Sequence, residues 1–180
     1  MSELKVQYVK SADGVQIAYA VVGSGPAFVQ APNAWGDINL NSLPELKANR
    51  EAIVAGGRQL VLCDGRGAGS SDRNVTDMSL AARLADLEAV VDKLALDQFA
   101  LLGSIHGAPI AVAYAVRHPN RLSHLILTSP YARGADYYAS DRPTHVPGPT
   151  GRGSSTKVSA PSGRSSCFRT GASSTTPSHA

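Results

Sequence analysis

One five-residue stretch combines residue types that could do chemistry. It reads Gly103-Ser104-Ile105-His106-Gly107 and follows the small-x-nucleophile-x-small pattern of a nucleophile elbow. In such a turn the central side chain is a Ser, Asp or Cys that attacks a carbonyl carbon. Ile105 occupies that central position and has no nucleophilic atom. The pattern therefore predicts the frame of a nucleophilic site without its reactive group.

The segments that flank this turn have the patterns that an elbow requires. An apolar run over 99–103 predicts the strand that enters the turn, and residues 108–118 predict the helix that leaves it. Pro109 is tolerated in the first turn of that helix. Residues 122–129 predict a further strand. The order strand, turn, helix, strand supports the elbow interpretation.

Upstream, apolar runs alternate with helical patterns, which is typical of a mostly parallel sheet with helices on both faces. The strands are predicted over 5–10, 15–23, 27–32 and 59–64, the first two as a hairpin, and a helix over about 43–56. A second helix is predicted to start after Asp77 or Ser79, with an apolar face of Leu80, Leu84, Leu87, Val91 and Leu94. The predicted class is α/β.

The composition changes near residue 140. Residues 141–180 contain 9 Ser, 6 Thr, 5 Gly and 5 Pro, together 25 of 40. Such a stretch buries too little apolar surface to offset its chain entropy, so we expect a disordered tail. It is interpreted either as a linker or as the product of a lost reading frame. The domain prediction is therefore a partial α/β domain over 1–140 followed by a tail.

Charge and cysteine content limit the partners. The net charge is +3, but five basic residues against Asp141 place +4 in the tail, so the remainder carries −1 and has no basic footprint for nucleic acid. Cys63 lies in a predicted buried strand and Cys167 in the tail, which makes a bridge between them unexpected. No apolar run is long enough to cross a bilayer. We expect a cytoplasmic protein with no nucleic-acid or membrane partner.

Four motifs in order identify a resemblance. They are S-A-D-G-V-Q-I-A-Y-A-V-V-G-S-G-P near the start, A-P-N-A-W-G after the third strand, D-G-R-G-A-G-S-S-D over 64–72, and the elbow. Together they cover about 130 residues and resemble the α/β-hydrolase superfamily. The opening phrase, with Y-A-R after 122–129, looks most like hydrolase-like domains fused to actinobacterial cyclase or helix-turn-helix regulators.

The resemblance implies hydrolysis of a small ester- or amide-like substrate without a cofactor. It places one oxyanion-hole donor at the N–H of His106 and the second near Asn33 or Ala34. The family usually has His-Gly or Pro-Gly where this chain has Pro32-Asn33, and loss of that glycine narrows the backbone geometries available to the second donor. It also places an acid and a base after strands seven and eight, and no residue of this chain is assigned to those positions. The implied fold is a truncated α/β-hydrolase fold.

Two structural expectations follow from these departures. The central elbow residue has a positive φ in the family, and a β-branched side chain is costly there, so we expect the turn at Ile105 to relax. An incomplete sheet would leave an unpaired edge after residue 129, which predicts self-association.

The other candidates have structural interpretations beside the functional ones. Ser104 could act as a displaced nucleophile beside His106, although a serine next to glycine in a turn is usually structural. The 64–72 loop lacks the spacing and Lys of a phosphate loop and is interpreted as a structural turn. His118 and His124 are expected to end a helix and to lie on a strand. Further candidates are His145 and His179 in the tail and Tyr131, Tyr137 and Tyr138 above the elbow.

Two functions remain open from sequence. The first is a hydrolase that uses a displaced Ser104. The second is a non-catalytic member, either a ligand-sensing domain that binds a small molecule or a remnant without function. Ile105 and the unassigned acid and base favour the second.

Overall fold

A computed structural model of the chain describes residues 4–34 and 36–131, together with the backbone of residues 166–169. The strands within these residues are β1 Gln7–Lys10, β2 Gln16–Val22, β3 Ala27–Gln30, β4 Gln59–Cys63, β5 Phe99–Ser104, β6 Leu122–Thr128 and β7 Ser166–Arg169. The α-helices are α1 Pro44–Ala55, α2 Leu80–Lys93 and α3 Ala108–Arg117. Short 3-10 turns cover Ile38–Ser42, Ile105–Gly107 and Pro119–Arg121.

One sheet connects all of these strands in the order β1-β2-β4-β3-β5-β6-β7. The pairs β4–β3, β3–β5 and β5–β6 are parallel, whereas the outer pairs β1–β2, β2–β4 and β6–β7 are antiparallel. The predicted hairpin and the mostly parallel centre are confirmed. Because β5 is flanked by parallel neighbours, its carboxyl end opens onto the edge where the elbow lies.

The helix boundaries follow from local capping. Pro44 occupies the first turn of α1, and Gly57, at φ 72°, follows its C-cap. Of the two predicted caps for α2, Ser79 performs the role: its side chain accepts a hydrogen bond from the N–H of Ala82 at 3.2 Å. These caps fix where each helix starts relative to the sheet.

Apolar side chains fill both faces of the sheet. On one face α2 and α3 pack over the strands, and the largest fully buried residues there include Tyr114, Phe99 and Leu87. On the other face α1 covers a smaller cluster around Ile38, Leu60 and Leu62. Leu80, predicted on the buried face of α2, is instead 47% exposed: it is the first residue of the helix and lies in the wall of an open groove.

The C-terminal expectations are met only in part. Ser166–Arg169 pair antiparallel with β6, with Leu125 opposite Phe168, so the predicted unpaired edge at β6 is wrong. These four residues also depart from the expectation of a tail without secondary structure. The rest of 141–180 lies outside the described residues, and self-association stays a prediction. Within the described part, no helix has the length and apolar character needed to cross a membrane.

Candidate functional site

The turn between β5 and α3 keeps the elbow geometry. Ile105 has φ 47°, in the left-handed region that β-branched residues rarely adopt. The following residues form a tight 3-10 turn in which the N–H of Ala108 donates to the carbonyl of Ile105. The expectation that the turn relaxes is therefore wrong: the elbow conformation persists although its nucleophile is absent.

Packing of the two elbow glycines explains why the turn cannot relax. A Cβ on Gly103 would lie 2.7 Å from the Cβ of Ala111 and 2.9 Å from the Cα of Ala108, both in α3. A Cβ on Gly107 would lie 3.0 Å from the carbonyl oxygen of Ala31. The backbone of the turn therefore packs closely against both α3 and the loop after β3, and this packing holds Ile105 at a positive φ.

Strand geometry orients Ser104 away from the elbow helix. The Cβ direction of Gly103 meets α3, and side chains alternate along a strand, so Ser104 faces the opposite side of the sheet. Its backbone is extended, with φ −113° and ψ 131°, and it pairs with Thr128 of β6. Ser104 therefore lies on the α1 face, whereas a nucleophile would have to stand at the apex of the turn, where Ile105 is.

The loop after β3 lies directly against the elbow. The N–H of Ala31 donates to the carbonyl of Leu102 in β5 at 2.8 Å. The chain then turns, with the N–H of Gly36 donating to the carbonyl of Asn33 at 3.0 Å. The fold thus brings the loop that holds Asn33 and Ala34 close to the turn that holds His106. The oxyanion-hole role of these residues stays a prediction.

His106 is buried and contacts an aromatic side chain beyond β6. It is 6% exposed, and its ring centroid lies 6.0 Å from that of Tyr131 in an edge-to-face arrangement. Tyr131 also lines an open groove between α2 and α3 of about 1010 Å³. The sequence placed Tyr131 near the elbow without deciding its role, and the structure assigns it to the groove. Tyr137, Tyr138, His145 and His179 lie outside the described residues.

The 64–72 loop is a structural junction, as expected. Asp64 is 1% exposed, and its two oxygens accept the N–H groups of Ile38 and Ser70, both at 2.8 Å. Burial raises the pKa of the Asp64 carboxyl to about 6 against the effect of these bonds, and the charge of Asp37 raises it further. Asp64 therefore ties the 3-10 turn before α1 to the glycine-rich loop.

Arg66 ties the same loop to α2 and to the first hairpin. Its Nε and one terminal nitrogen donate to the two oxygens of Asp86 at 2.8 Å each, and both residues are almost fully buried. It also donates to Asp13 in the β1–β2 turn at 2.7 and 3.1 Å. Because the guanidinium of Arg66 pairs with these two carboxylates, it is not available to a bound phosphate. This agrees with the interpretation of the 64–72 loop as a structural turn.

The remaining histidines have structural positions. His118 caps α3, and its Nε2 lies 2.7 Å from Oε1 of Glu88 on α2. His124 lies on β6 opposite Ala100, four residues along the strand pair from Ser104. Neither is placed as a base for the elbow. Among the described residues, no group of three His, Cys, Asp or Glu side chains could hold a metal ion.

The burial of Arg83 on α2 is a feature that sequence reasoning missed. This residue lies directly before Leu84 of the apolar face, and its residue type predicts a surface position, yet it is half-buried. Burial lowers the pKa of its guanidinium, and electrostatic interactions with Tyr131 and Asp86 oppose that effect. The electrostatic interaction with Tyr131 joins segments that are far apart in the sequence, so no local pattern indicates it.

Comparison with known proteins agrees with this geometry. Residues 28–153 match the family described as the alpha/beta hydrolase fold. A 2-hydroxy-6-oxononadienedioate/2-hydroxy-6-oxononatrienedioate hydrolase of Dechloromonas aromatica is 32% identical over 128 residues, covering 69% of this chain and 39% of the relative. The corresponding hydrolase of Cupriavidus pinatubonensis is 29% identical over 141 residues, 77% of this chain and 44% of its own.

Solved structures show the same fold. An esterase from Exiguobacterium antarcticum superposes with a TM-score of 0.62 at 26% identity, covering 69% of this chain and 45% of the esterase. An epoxide hydrolase from Vigna radiata superposes with a TM-score of 0.63 at 18% identity, over 73% and 42% of the two chains. The chain belongs to the α/β-hydrolase family. It spans about 40% of the length of the curated relatives it matches.

Proposed function

We propose that this chain is a non-hydrolytic member of the α/β-hydrolase family that binds a small molecule without turning it over. The observation that carries the proposal is Ile105 at the apex of an otherwise preserved elbow, with φ 47°. Carbonyl attack in this fold needs a nucleophilic atom at that point. The side chain of Ile105 presents apolar surface at that point but has no electron pair with which to attack a carbonyl carbon.

The competing function, hydrolysis by Ser104, is disfavoured by the sheet. Ser104 faces the α1 side, opposite to the side that Gly103 presents to α3. A rotation that brought it to the apex would also move Gly103, whose packing against Ala111 leaves no room for a change. The curated relatives are named for hydrolysis of a nine-carbon dienedioate, and inheritance of that activity would require a nucleophile that the elbow lacks.

Ligand sensing is supported by the parts of the site that persist. The loop of Asn33 and Ala34 still lies against the elbow, and Tyr131, whose ring is next to that of His106, lines an open groove between α2 and α3. The resemblance of the opening motif to hydrolase-like domains of bacterial regulators points to the same role. Cys63 is a buried free thiol, which suits the reduced cytoplasmic setting that we propose for the protein.

Ester hydrolysis tests the proposal directly. The unmodified chain and a Ser104→Ala variant are assayed with p-nitrophenyl butyrate, with buffer and heat-denatured protein as blanks. We expect both proteins to hydrolyse the ester at the blank rate, because neither has an activated nucleophile. Saturable turnover by the unmodified chain that Ser104→Ala abolishes would show that Ser104 is the nucleophile and refute the proposal.

A further inference from the structure

The groove between α2 and α3 is lined mainly by apolar side chains. Its volume is about 1010 Å³, and its walls include Leu80, Leu84, Pro109, Val112, Val116 and Tyr131. Two of these side chains, Val112 and Val116, are 42% and 80% exposed. Apolar surface that is gathered in a groove and open to water is typical of a place where another molecule binds.

The groove has one charged side chain among the described residues that line it, and that side chain already has a counter-ion. Nη1 of Arg117 donates to the two carboxylate oxygens of Glu88 on α2, at 3.2 and 3.4 Å. Nε2 of His118 lies 2.7 Å from Oε1 of the same carboxylate. Two side chains at the end of α3 therefore hold Glu88 beside Arg117.

This arrangement disfavours ionised ligands. A carboxylate that approached Arg117 would also approach the negative charge of Glu88, which lies 3.2 Å from the same guanidinium, and like charges that close repel. A cationic ligand would meet the positive charge of Arg117 itself. An uncharged molecule avoids both costs, and its binding is favoured by the apolar area that it covers.

We propose that the α2–α3 groove binds an uncharged small molecule with an apolar chain, and that Glu88 determines this specificity. The chain of the ligand lies along Val112 and Val116. The proposal rests on the ligand-binding part of the proposed function and names the chemical class of that ligand. It does not depend on the elbow nucleophile.

The dimensions of the groove set the length of the ligand. Tyr131 lies at the elbow end, because its ring centroid is 6.0 Å from that of His106, whereas Arg117 is the last residue of α3. The lining residues of α3 run from Pro109 to Arg117, which corresponds to about 12 Å along the helix axis. The extended chain of 1-octanol matches this length.

Binding of 1-octanol to the full chain is measured by isothermal titration calorimetry at neutral pH. Octanoate is the charged analogue and 1-butanol the short one. We expect 1-octanol to bind at least tenfold more tightly than 1-butanol and at least threefold more tightly than octanoate. Absence of 1-octanol binding, or octanoate binding that is equally tight, would overturn the proposal.

Glu88→Gln tests the origin of the specificity. It removes the negative charge beside Arg117 and keeps the size of the side chain. The Kd for octanoate should therefore fall at least threefold, while the Kd for 1-octanol changes by less than twofold. An unchanged Kd for octanoate would refute the role of Glu88.

A matched pair of substitutions tests the location of the site. Val112 and Leu46 are both 42% exposed, but Leu46 lies on α1, which covers the other face of the sheet. Val112→Asn should raise the Kd for 1-octanol at least fivefold, and Leu46→Asn should leave it unchanged. If Val112→Asn has no effect, or the same effect as Leu46→Asn, the ligand does not bind in the groove and the site is refuted. The ester assay does not involve this groove, so failure of the site and failure of the non-hydrolytic proposal are distinguishable.

Discussion

The positive φ of Ile105 predicts which of two variants at this position, Ala or Gly, is the more stable. Ile105→Ala and Ile105→Gly both remove nearly all of the side chain, so they differ mainly in the backbone conformations that the new residue can adopt. At an ordinary position the Gly variant is less stable than the Ala variant by about 0.4–1 kcal/mol, because glycine gains more freedom on unfolding. At φ 47° the Ala variant keeps a left-handed strain of about 1–2 kcal/mol that glycine does not have.

The two terms oppose each other, and the strain is the larger. We therefore expect Ile105→Gly to be more stable than Ile105→Ala by roughly 0.5–1 kcal/mol. The measurement is urea unfolding followed by far-UV circular dichroism, with linear extrapolation of the free energy of unfolding to water.

Ala81 provides the control, because it is an exposed residue in the first turns of α2 with ordinary helical backbone. Ala81→Gly should destabilise the protein by up to about 1 kcal/mol. If Ile105→Gly is less stable than Ile105→Ala, the turn has relaxed and the preserved-elbow interpretation is wrong.

Three further outcomes follow from the packing and the charges. Arg66→Gln should lower the free energy of unfolding by about 3–5 kcal/mol, because it leaves Asp86 buried without its cation; Arg66→Lys should rescue little in the same urea assay, since an ammonium cannot replace the bidentate pairing. Gly103→Ala should cost about 1–3 kcal/mol, measured as a lower thermal midpoint, because its Cβ would press on Ala111. The folded pKa of Asp64 is raised to about 6, so its ionisation disfavours the folded state at neutral pH, and its contribution to stability increases as pH falls from 7 to 4. The free energy of unfolding of the unmodified chain minus that of Asp64→Asn should therefore increase as pH falls from 7 to 4. A difference that does not change with pH would show that Asp64 titrates normally.

The order of strands and helices could be predicted from the sequence because each depends on a local pattern. The apolar spacing of α2, the Ser79 cap and the strand–turn–helix around Ile105 are all visible within a few residues. The sequence of the 64–72 loop likewise predicts a structural turn, although no local pattern indicates that Arg66 pairs with Asp13 and Asp86.

The features that sequence reasoning missed depend on contacts between distant segments. A β-branched residue argues for a relaxed turn, but the packing of Gly103 against Ala111 holds Ile105 at positive φ. The residue type of Arg83 predicts a surface position on α2, whereas the folded chain half-buries it. The pairing of β7 with β6 involves a tail segment without periodicity, so nothing local predicted it.

The elbow keeps its shape, and we propose that it lacks an activated nucleophile. The most direct measurement is labelling of the unmodified chain with a fluorophosphonate, which traps activated serines, followed by peptide mass mapping. We expect no label on the peptide that contains Ser104 while circular dichroism shows a folded domain. Stoichiometric label on Ser104 would contradict it and establish a displaced nucleophile in this fold.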